Sequence, residues 1–332
     1  MQADSLDNFS FASLTPDHIL DAIESIGIRP ESGLIALNSY ENRVYQFIAE
    51  NNKRYVVKFY RPARWTQAQI LEEHEFACQL DEAEVPMIAP LKINDQTLHQ
   101  FNGYLFCVYP SVGGRAFEND NLEHLEWMGR FIGRIHLTSK KQLFKHRPSI
   151  GTEEYLDLAK QHIIDSNMVP PALETAFMTI LEQLIIETKK RFKMDNLSQI
   201  RLHGDCHAGN ILWRDGPQFV DLDDARNGPA VQDLWMMLSG DRPQQILQLD
   251  TMLEGYQEFS DFDNKELHLI EPLRAMRMVH YMGWIAKRWC DPAFIHSFSW
   301  FAESKYWEQQ ILSLKEQLAG LYEEPLSLMS GL

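Results

Sequence analysis

The stretch Ile200-Arg-Leu-His-Gly-Asp-Cys-His-Ala-Gly-Asn-Ile-Leu-Trp213, continued by Arg214-Asp-Gly-Pro217 and Gln218-Phe-Val-Asp-Leu222, decides how the chain is read. Asp205 is followed five positions later by Asn210, and Asp221 lies on the next apolar run. That spacing suits phosphoryl transfer: one carboxylate takes the proton of an acceptor hydroxyl, while an amide oxygen and a second carboxylate hold the Mg²⁺ that neutralises the ATP phosphates. The apolar runs are too short for helices and Asp-Gly-Pro is a turn signal, so the pattern predicts strand, loop, strand, tight turn, strand. Asn210 and Asp221 then emerge beside one hairpin.

Two other readings compete. His203, Asp205, Cys206 and His207 are all zinc-ligating types, but adjacent Cys206 and His207 would have to converge on one ion from consecutive backbone positions, and no paired Cys or His cluster lies elsewhere. A polar turn between strands leaves three potential ligands at this spacing without a purpose.

Composition sets the outer limits. A chain of 332 residues has room for a sizeable core and for two domains or lobes. Its 45% hydrophobic and 23% charged residues are the balance of an ordinary soluble protein. A formal net charge of -16 argues against general nucleic-acid binding. No apolar run is long enough to span a bilayer, and the polar, acidic residues 1–13 do not read as a secretory signal. Four scattered cysteines read as reduced thiols, so a cytoplasmic setting is expected.

Working outward, Thr15-Pro16 opens a short helix to about Ser25. Strand candidates follow at Gly33–Leu37, Arg43–Ala49 and Arg54–Tyr60, the last two joined at Asn51-Asn52. Thr66–Gln69 has capping-box spacing and starts a helix to about Asp81, stopped by Val85-Pro86. Ile88–Ile93, Thr97–Phe101 and Tyr104–Tyr109 read as further strands. From these six candidates the expectation is a five-stranded antiparallel sheet up to residue 109 with one main helix after the third strand. Tyr109-Pro-Ser-Val-Gly-Gly-Arg115 reads as a hinge rather than a phosphate cradle, because no Lys-Ser/Thr follows its glycines. Helices then read at Leu122–Ser139, Glu153–Asp165, Ala172–Phe192, Val231–Ser239, Gln244–Phe259, Leu267–Cys290 and Lys305–Tyr322. The fold class is therefore α+β and bilobal: a nucleotide-binding lobe at 1–109, a linker at 110–119, and a helical lobe at 120–332 with the catalytic loop.

That plan makes demands on the first lobe. A lysine must reach the α/β-phosphates, and a helix carboxylate must hold it. Lys58 stands in the otherwise apolar Tyr55–Tyr60, and Glu73 shares a helical face with Phe76, Ala77 and Leu80, with Glu75 as a fallback. Leu37–Asn42 lacks a glycine-rich signature, though Ser39 and backbone N–H groups could donate to phosphate. Only eleven residues separate Asp221 from Asp233, too few for a protein-kinase activation segment. Asp223 and Asp224 could share the metal or repel it. Asp233 suits a helix N-terminus or a brace for the catalytic loop.

His-Gly-Asp-x-His-x-x-Asn, the apolar-Asp strand and Gln232-Asp-Leu-Trp235 resemble the aminoglycoside phosphotransferase and choline kinase-like superfamily, which has the protein-kinase-like fold. Leu37–Phe47, Val57–Pro62, Pro110–Arg115, Leu202–Pro217, Val220–Trp235 and Ile270–Arg277 are similar to the bacterial stress response kinase A family. Cys206 and Ala208 depart from the superfamily's usual Leu and Pro. The resemblance implies an ATP- and Mg²⁺-dependent, non-specific serine/threonine protein kinase of the bacterial cytoplasm, acting in a stress response. It implies Asp205 as catalytic base, Asn210 and Asp221 as metal ligands, with Asp221 counted as catalytic too, and Ser39 at the ATP site. Protein substrates bearing Ser or Thr are expected, with no nucleic-acid or membrane partner, from a monomer. A small-alcohol kinase acting on choline, homoserine or an aminoglycoside is the alternative, for which Tyr281, Trp284, Trp289, Asp291 and Trp300 could form a cationic cage. A nucleotide-binding pseudokinase is a third reading, opposed by the presence of Lys58, Asp205, Asn210 and Asp221.

Overall fold

The computed structural model describes residues 11 and 13–328. The reading of residues 1–13 as lacking a leader therefore falls almost wholly outside the described residues. By backbone contacts the chain divides into two compact units. The first comprises residues 1–117, 144–147 and 208–225; the second comprises 118–143, 148–207 and 226–332. The sequence reading had placed the hairpin of residues 208–225 with the helical lobe.

In the first unit, Thr15 caps α1 (Pro16–Ser25), its hydroxyl accepting from the His18 N–H. The sheet strands are β1 (Ile35–Ala36), β2 (Arg43–Ile48), β3 (Arg54–Phe59), β4 (His99–Phe101) and β5 (Tyr104–Pro110), in antiparallel order β1-β2-β3-β5-β4. The expected helix is α2 (Gln67–Glu82), with the Thr66/Gln69 capping box formed in both directions. Side-chain alternation along central β3 sends Val57 and Phe59 into the cluster with Ile19, Ala22 and Ile23 of α1. Tyr60 packs instead with Ile70 of α2 and Cys107. By the same period of two, Lys58 is directed to the α2 face.

Ile88–Ile93 does not form a strand. Pro86 and Pro90 interrupt ladder bonding there, and the segment makes single contacts instead: Ile88 N–H donates to Phe219 O at 3.0 Å and Leu91 N–H to Val108 O at 2.7 Å. The expected hinge includes β6 (Arg115–Ala116), which pairs with β8 (Ile211–Trp213) and, beyond it, β9 (Pro217–Phe219). Gly114 lies against this hairpin, where a Cβ would come within 2.8 Å of the Leu212 Cβ.

The second unit holds α3 (Leu122–Ser139), α4 (Ala159–Ser166) after a π-helical turn at Glu153–Leu158, and α5 (Pro171–Arg191). β7 (Ile200–Leu202) pairs with β10 (Arg226–Gly228), a strand not anticipated from the sequence. Next come α6 (Gln232–Trp235), α7 (Arg242–Gln257), α8 (Ile270–Lys287), α9 (Pro292–Ser297) and α10 (Ser304–Gly320). The expected helix over Val231–Ser239 shrinks to the four residues of α6. α3 and α7 approach so closely that a Cβ on Gly129 would fall 1.9 Å from the Met252 carbonyl oxygen.

Candidate active site

The first unit assembles a buried charge cluster. Asn210 directly precedes β8, and its carbonyl accepts from the Val220 N–H at 3.1 Å, which closes the β8–β9 hairpin. Asp221 follows with φ 64° and ψ 74°, a left-handed conformation unusual for a non-glycine residue and typical of functional loops. The two candidate metal ligands thus stand at the open end of one hairpin, and the Asp221 side chain is half-exposed.

Lys58 Nζ lies 3.1 Å from Asp221 Oδ1, 3.2 Å from Asp223 Oδ1 and 3.5 Å from Glu73 Oε1. Burial opposes a charged ammonium, but Asp221, Asp223 and Glu73 together hold the Lys58 pKa well above its usual value. Asp223 is buried; burial alone would raise its carboxyl, yet Arg64 and Lys58 hold it below the ordinary range. Arg64 contacts Asp223 and reaches Asp224 at 2.8 Å. Asp223 is therefore an anchored member of the cluster, while Asp221 presents the more accessible carboxylate.

Glu73 is shared. Its second oxygen, Oε2, accepts from Arg147 Nη2 at 2.7 Å. The fallback, Glu75, instead accepts from Gln79 at 2.8 Å along the same helix. Ser39 is half-buried in the β1–β2 loop. That loop is pinned behind it: Asn42 Oδ1 accepts from the Arg61 N–H at 3.0 Å, and Arg61 Nε donates to the Glu41 carbonyl at 2.8 Å. Arg61, Arg64 and Arg147 were not anticipated. Arg61 sits inside a Phe-Tyr-Arg-Pro run whose packing side chains hid the signal.

The second unit presents Asp205. Arg277 Nη1 donates to its Oδ1 at 2.5 Å, and His207 Nε2 lies 3.3 Å from Oδ2. Partial burial would raise this carboxyl, but the His207 hydrogen bond and the Arg277 charge hold it well below the usual carboxylate range. Asp233 braces the loop from behind. Its Oδ2 accepts from the His203 N–H at 2.8 Å and its Oδ1 from the Gly204 N–H at 2.9 Å. His136 Nε2 approaches the same carboxylate at 3.1 Å, and Gln232 donates to the Gly204 carbonyl at 3.0 Å. The Gln-Asp pair that opens α6 is thus a loop anchor. Cys206 is buried, and burial pushes its thiol well above the ordinary range, so it is an inert packing group and not a redox handle.

A pocket of about 350 Å³ opens next to Asp205, with Trp235, Met236, Met278 and Tyr281 as walls and His207, Arg274 and Arg277 as polar groups. None of its lining residues is acidic. Of the residues read as a possible cationic cage, Tyr281 lines this pocket and stacks on Trp284 with ring centroids 5.8 Å apart, whereas Trp284 also packs on Phe294 and Phe298, Trp289 and Trp300 pack on Phe301, and Asp291 caps α9.

Among the described residues no group of three or more His, Cys, Asp or Glu side chains is placed to hold a metal by itself. Asn210 and Asp221 are hard oxygen donors of the kind Mg²⁺ takes when nucleotide phosphates and water complete its shell. The donor set fits a metal that arrives with the nucleotide.

Comparison with known proteins fits this geometry. Residues 34–269 match the model of the phosphotransferase enzyme family. The chain is 55% identical over 320 residues to stress response kinase A of Escherichia coli K12, covering 96% of this chain and 97% of that protein. It is 52% identical, over the same shares, to the Salmonella typhimurium protein called serine/threonine protein kinase RdoA. Among solved structures, an amicoumacin kinase in complex with AMP-PNP, Ca²⁺ and its antibiotic superposes with a TM-score of 0.73 at 16% identity, covering 98% of both chains. A spectinomycin phosphotransferase in complex with ADP and spectinomycin gives 0.64 at 15%, covering 91% of this chain and 99% of that one. These two share the protein-kinase-like fold with it. The chain belongs to the phosphotransferase enzyme family, and within it to the stress response kinase A group.

Proposed function

We propose that this kinase transfers the γ-phosphoryl of ATP, with Mg²⁺, to Ser or Thr hydroxyls of proteins in a bacterial stress response. The observation that carries the reading is the convergence of Lys58 on Glu73 and Asp221 in a cluster built from strand, helix and hairpin. Lys58 orients the α/β-phosphates, and Glu73 keeps it in place. Mg²⁺, held by Asn210 and Asp221, would supply charge neutralisation on the phosphates. Asp205 stays ionised because Arg277 and His207 hold its carboxyl low, so it can accept the acceptor's proton. A weak base suffices where the transition state is loose and the proton leaves late. Ser39 and the pinned β1–β2 loop would cover the phosphates.

A protein acceptor is favoured over a cationic alcohol by the pocket beside Asp205. Arg274 and Arg277 line it, and the carboxylates nearest to them are already engaged, Glu271 at 3.4 Å from Arg274 and Asp205 at 2.5 Å from Arg277, an unfavourable setting for an aminoglycoside or choline. The name of the Salmonella relative points the same way. We place the enzyme in the cytoplasm as a monomer. Incubation with γ-labelled ATP tests the reading: label should enter a generic Ser/Thr protein substrate. Turnover with choline, homoserine or kanamycin alone would establish the alcohol-kinase alternative, and no turnover with any acceptor would mark a pseudokinase.

A further inference from the structure

We propose that Arg147 is a positioning residue that fixes the Glu73 helix to the Asp221–Ala225 loop, a permanent clamp in place of a phosphorylated activation segment. The proposal deepens the kinase reading above and rests on it. Protein kinases order this region by pairing an arginine with a phosphorylated residue in a long segment. Here the eleven residues between Asp221 and Asp233 leave no room for that segment. Arg147 arrives from elsewhere in the sequence, in the short insert of residues 144–147 that belongs to the first unit.

Its guanidinium is buried and ties two elements together. On the helix side, Nη2 donates to Glu73 Oε2 at 2.7 Å and Nε to the Gln69 carbonyl at 2.9 Å. On the loop side, Nη1 donates to the carbonyls of Asp223 at 2.9 Å and Ala225 at 2.8 Å, with Leu222 O at 3.5 Å. Trp65 supports the guanidinium face, with the ring centroid 4.6 Å from its central carbon. The insert is strapped to α2 from outside. The Glu72 carboxylate accepts the N–H groups of Lys145 at 2.7 Å and of His146 and Arg147 at 2.8 Å. Gln69 Nε2 donates to the His146 carbonyl at 3.0 Å.

Only arginine has the planar fork that can bond a carboxylate and several carbonyls at once; lysine offers a point charge on a flexible stem. With Oε2 of Glu73 fixed by Arg147, Oε1 is aimed at Lys58. Without the clamp, Glu73 can swing away and the loop carbonyls lose their donor. Lys58 is then left on Asp221 Oδ1, the carboxylate the metal needs. Loss of the clamp should thus appear as weakened metal use, beyond any loss of stability.

The test measures Mg²⁺-dependent binding of a fluorescent ATP analogue without acceptor, and hydrogen exchange of residues 220–226 with neither metal nor nucleotide. For Arg147→Met the half-saturating Mg²⁺ should rise about tenfold or more, loop exchange should accelerate by a similar factor, and Arg147→Lys should fall in between. A residue that only adds stability would leave the half-saturating Mg²⁺ of the folded protein unchanged and would speed exchange throughout the first unit, not selectively at residues 220–226. Should Arg147→Met fail to fold, Glu72→Ala cuts the strap from outside and should shift both readouts about threefold in the same direction. Wild-type Mg²⁺ dependence and loop exchange in whichever variant folds would overturn the clamp. If the wild-type protein binds the nucleotide with no dependence on Mg²⁺, the metal role of Asp221 fails instead, and loop exchange alone decides the clamp.

Discussion

Asp233→Asn is the sharpest probe of how the loop that carries the proposed base, Asp205, is held. The substitution preserves shape while replacing one acceptor oxygen by an NH₂ group. Asp233 is buried and accepts from the His203 and Gly204 N–H groups, with His136 as a third neighbour. Asparagine can satisfy one backbone N–H, but its amide then points a donor at the other. The loss of a charge-assisted hydrogen bond costs about 1.5–3 kcal/mol, and the donor left unsatisfied adds about 1–3 kcal/mol. A local destabilisation of about 3–5 kcal/mol corresponds to roughly a hundredfold or more in the loop-opening equilibrium. Hydrogen exchange followed on a peptide containing residues 203 and 204 should show that loss of protection, while protection in α7 and α10 is kept. Turnover should fall with it, because Asp205, the proposed base, is the next residue. Exchange at Gly204 within threefold of the parent, with unchanged turnover, would refute the bracing role.

Other outcomes follow from the same geometry. Asp205→Ala should reduce turnover by about 10²–10⁴-fold while MgATP binding persists, read by labelled-ATP turnover beside nucleotide titration; unchanged turnover removes Asp205 as base. Asp221→Asn should abolish the thermal shift produced by MgATP, and a normal shift counts against its metal role. Burial pushes buried Glu266 up to about 7, while it accepts the Val231 N–H at 2.8 Å. A raised carboxyl in the folded state means that the native protein keeps a proton which the unfolded chain releases. Stability is therefore lost as pH rises from about 4.5 to about 7, by roughly 3 kcal/mol in total. Glu266→Gln should raise the Tm more at pH 8 than at pH 4.5; an equal change at both pH values contradicts this.

Much of the first unit was legible because its signals are local. Alternation along Tyr55–Tyr60 sets Lys58 on the α2 face, and the 3.6-residue period of α2 sets Glu73 beside Phe76 and Ala77. The Thr66/Gln69 capping box fixed the start of α2. What stayed hidden is non-local. Arg147 carries no periodicity and no motif, and its partners lie more than seventy residues away in either direction along the chain. Ile88–Ile93 is apolar enough to read as a strand, but Pro90 within it and Pro86 just before it have no N–H to give a ladder. Asp223 reads from the sequence as a neighbour of Asp221 that could share its metal or repel it; its anchoring by Arg64 and Lys58 depends on tertiary packing. Val231–Ser239 has helical composition, yet Asp233 and Gln232 are spent on the loop at 203–204 and the helix stops after one turn.

The first unit is stitched from three separated stretches of chain, 1–117, 144–147 and 208–225. That arrangement bears on how the protein is born. A ribosome emits the N-terminal sheet early, but β6 has no partner until β8 and β9 emerge, and the Glu73 carboxylate has no arginine until residue 147 does. Vectorial folding, domain by domain from the N-terminus, cannot finish this unit before residue 225 has been made. Until then the nascent chain carries an open strand edge and a carboxylate still lacking its arginine partner. A fragment ending near residue 117 should accordingly leave this unit incomplete, with β6 lacking β8 and Glu73 lacking Arg147.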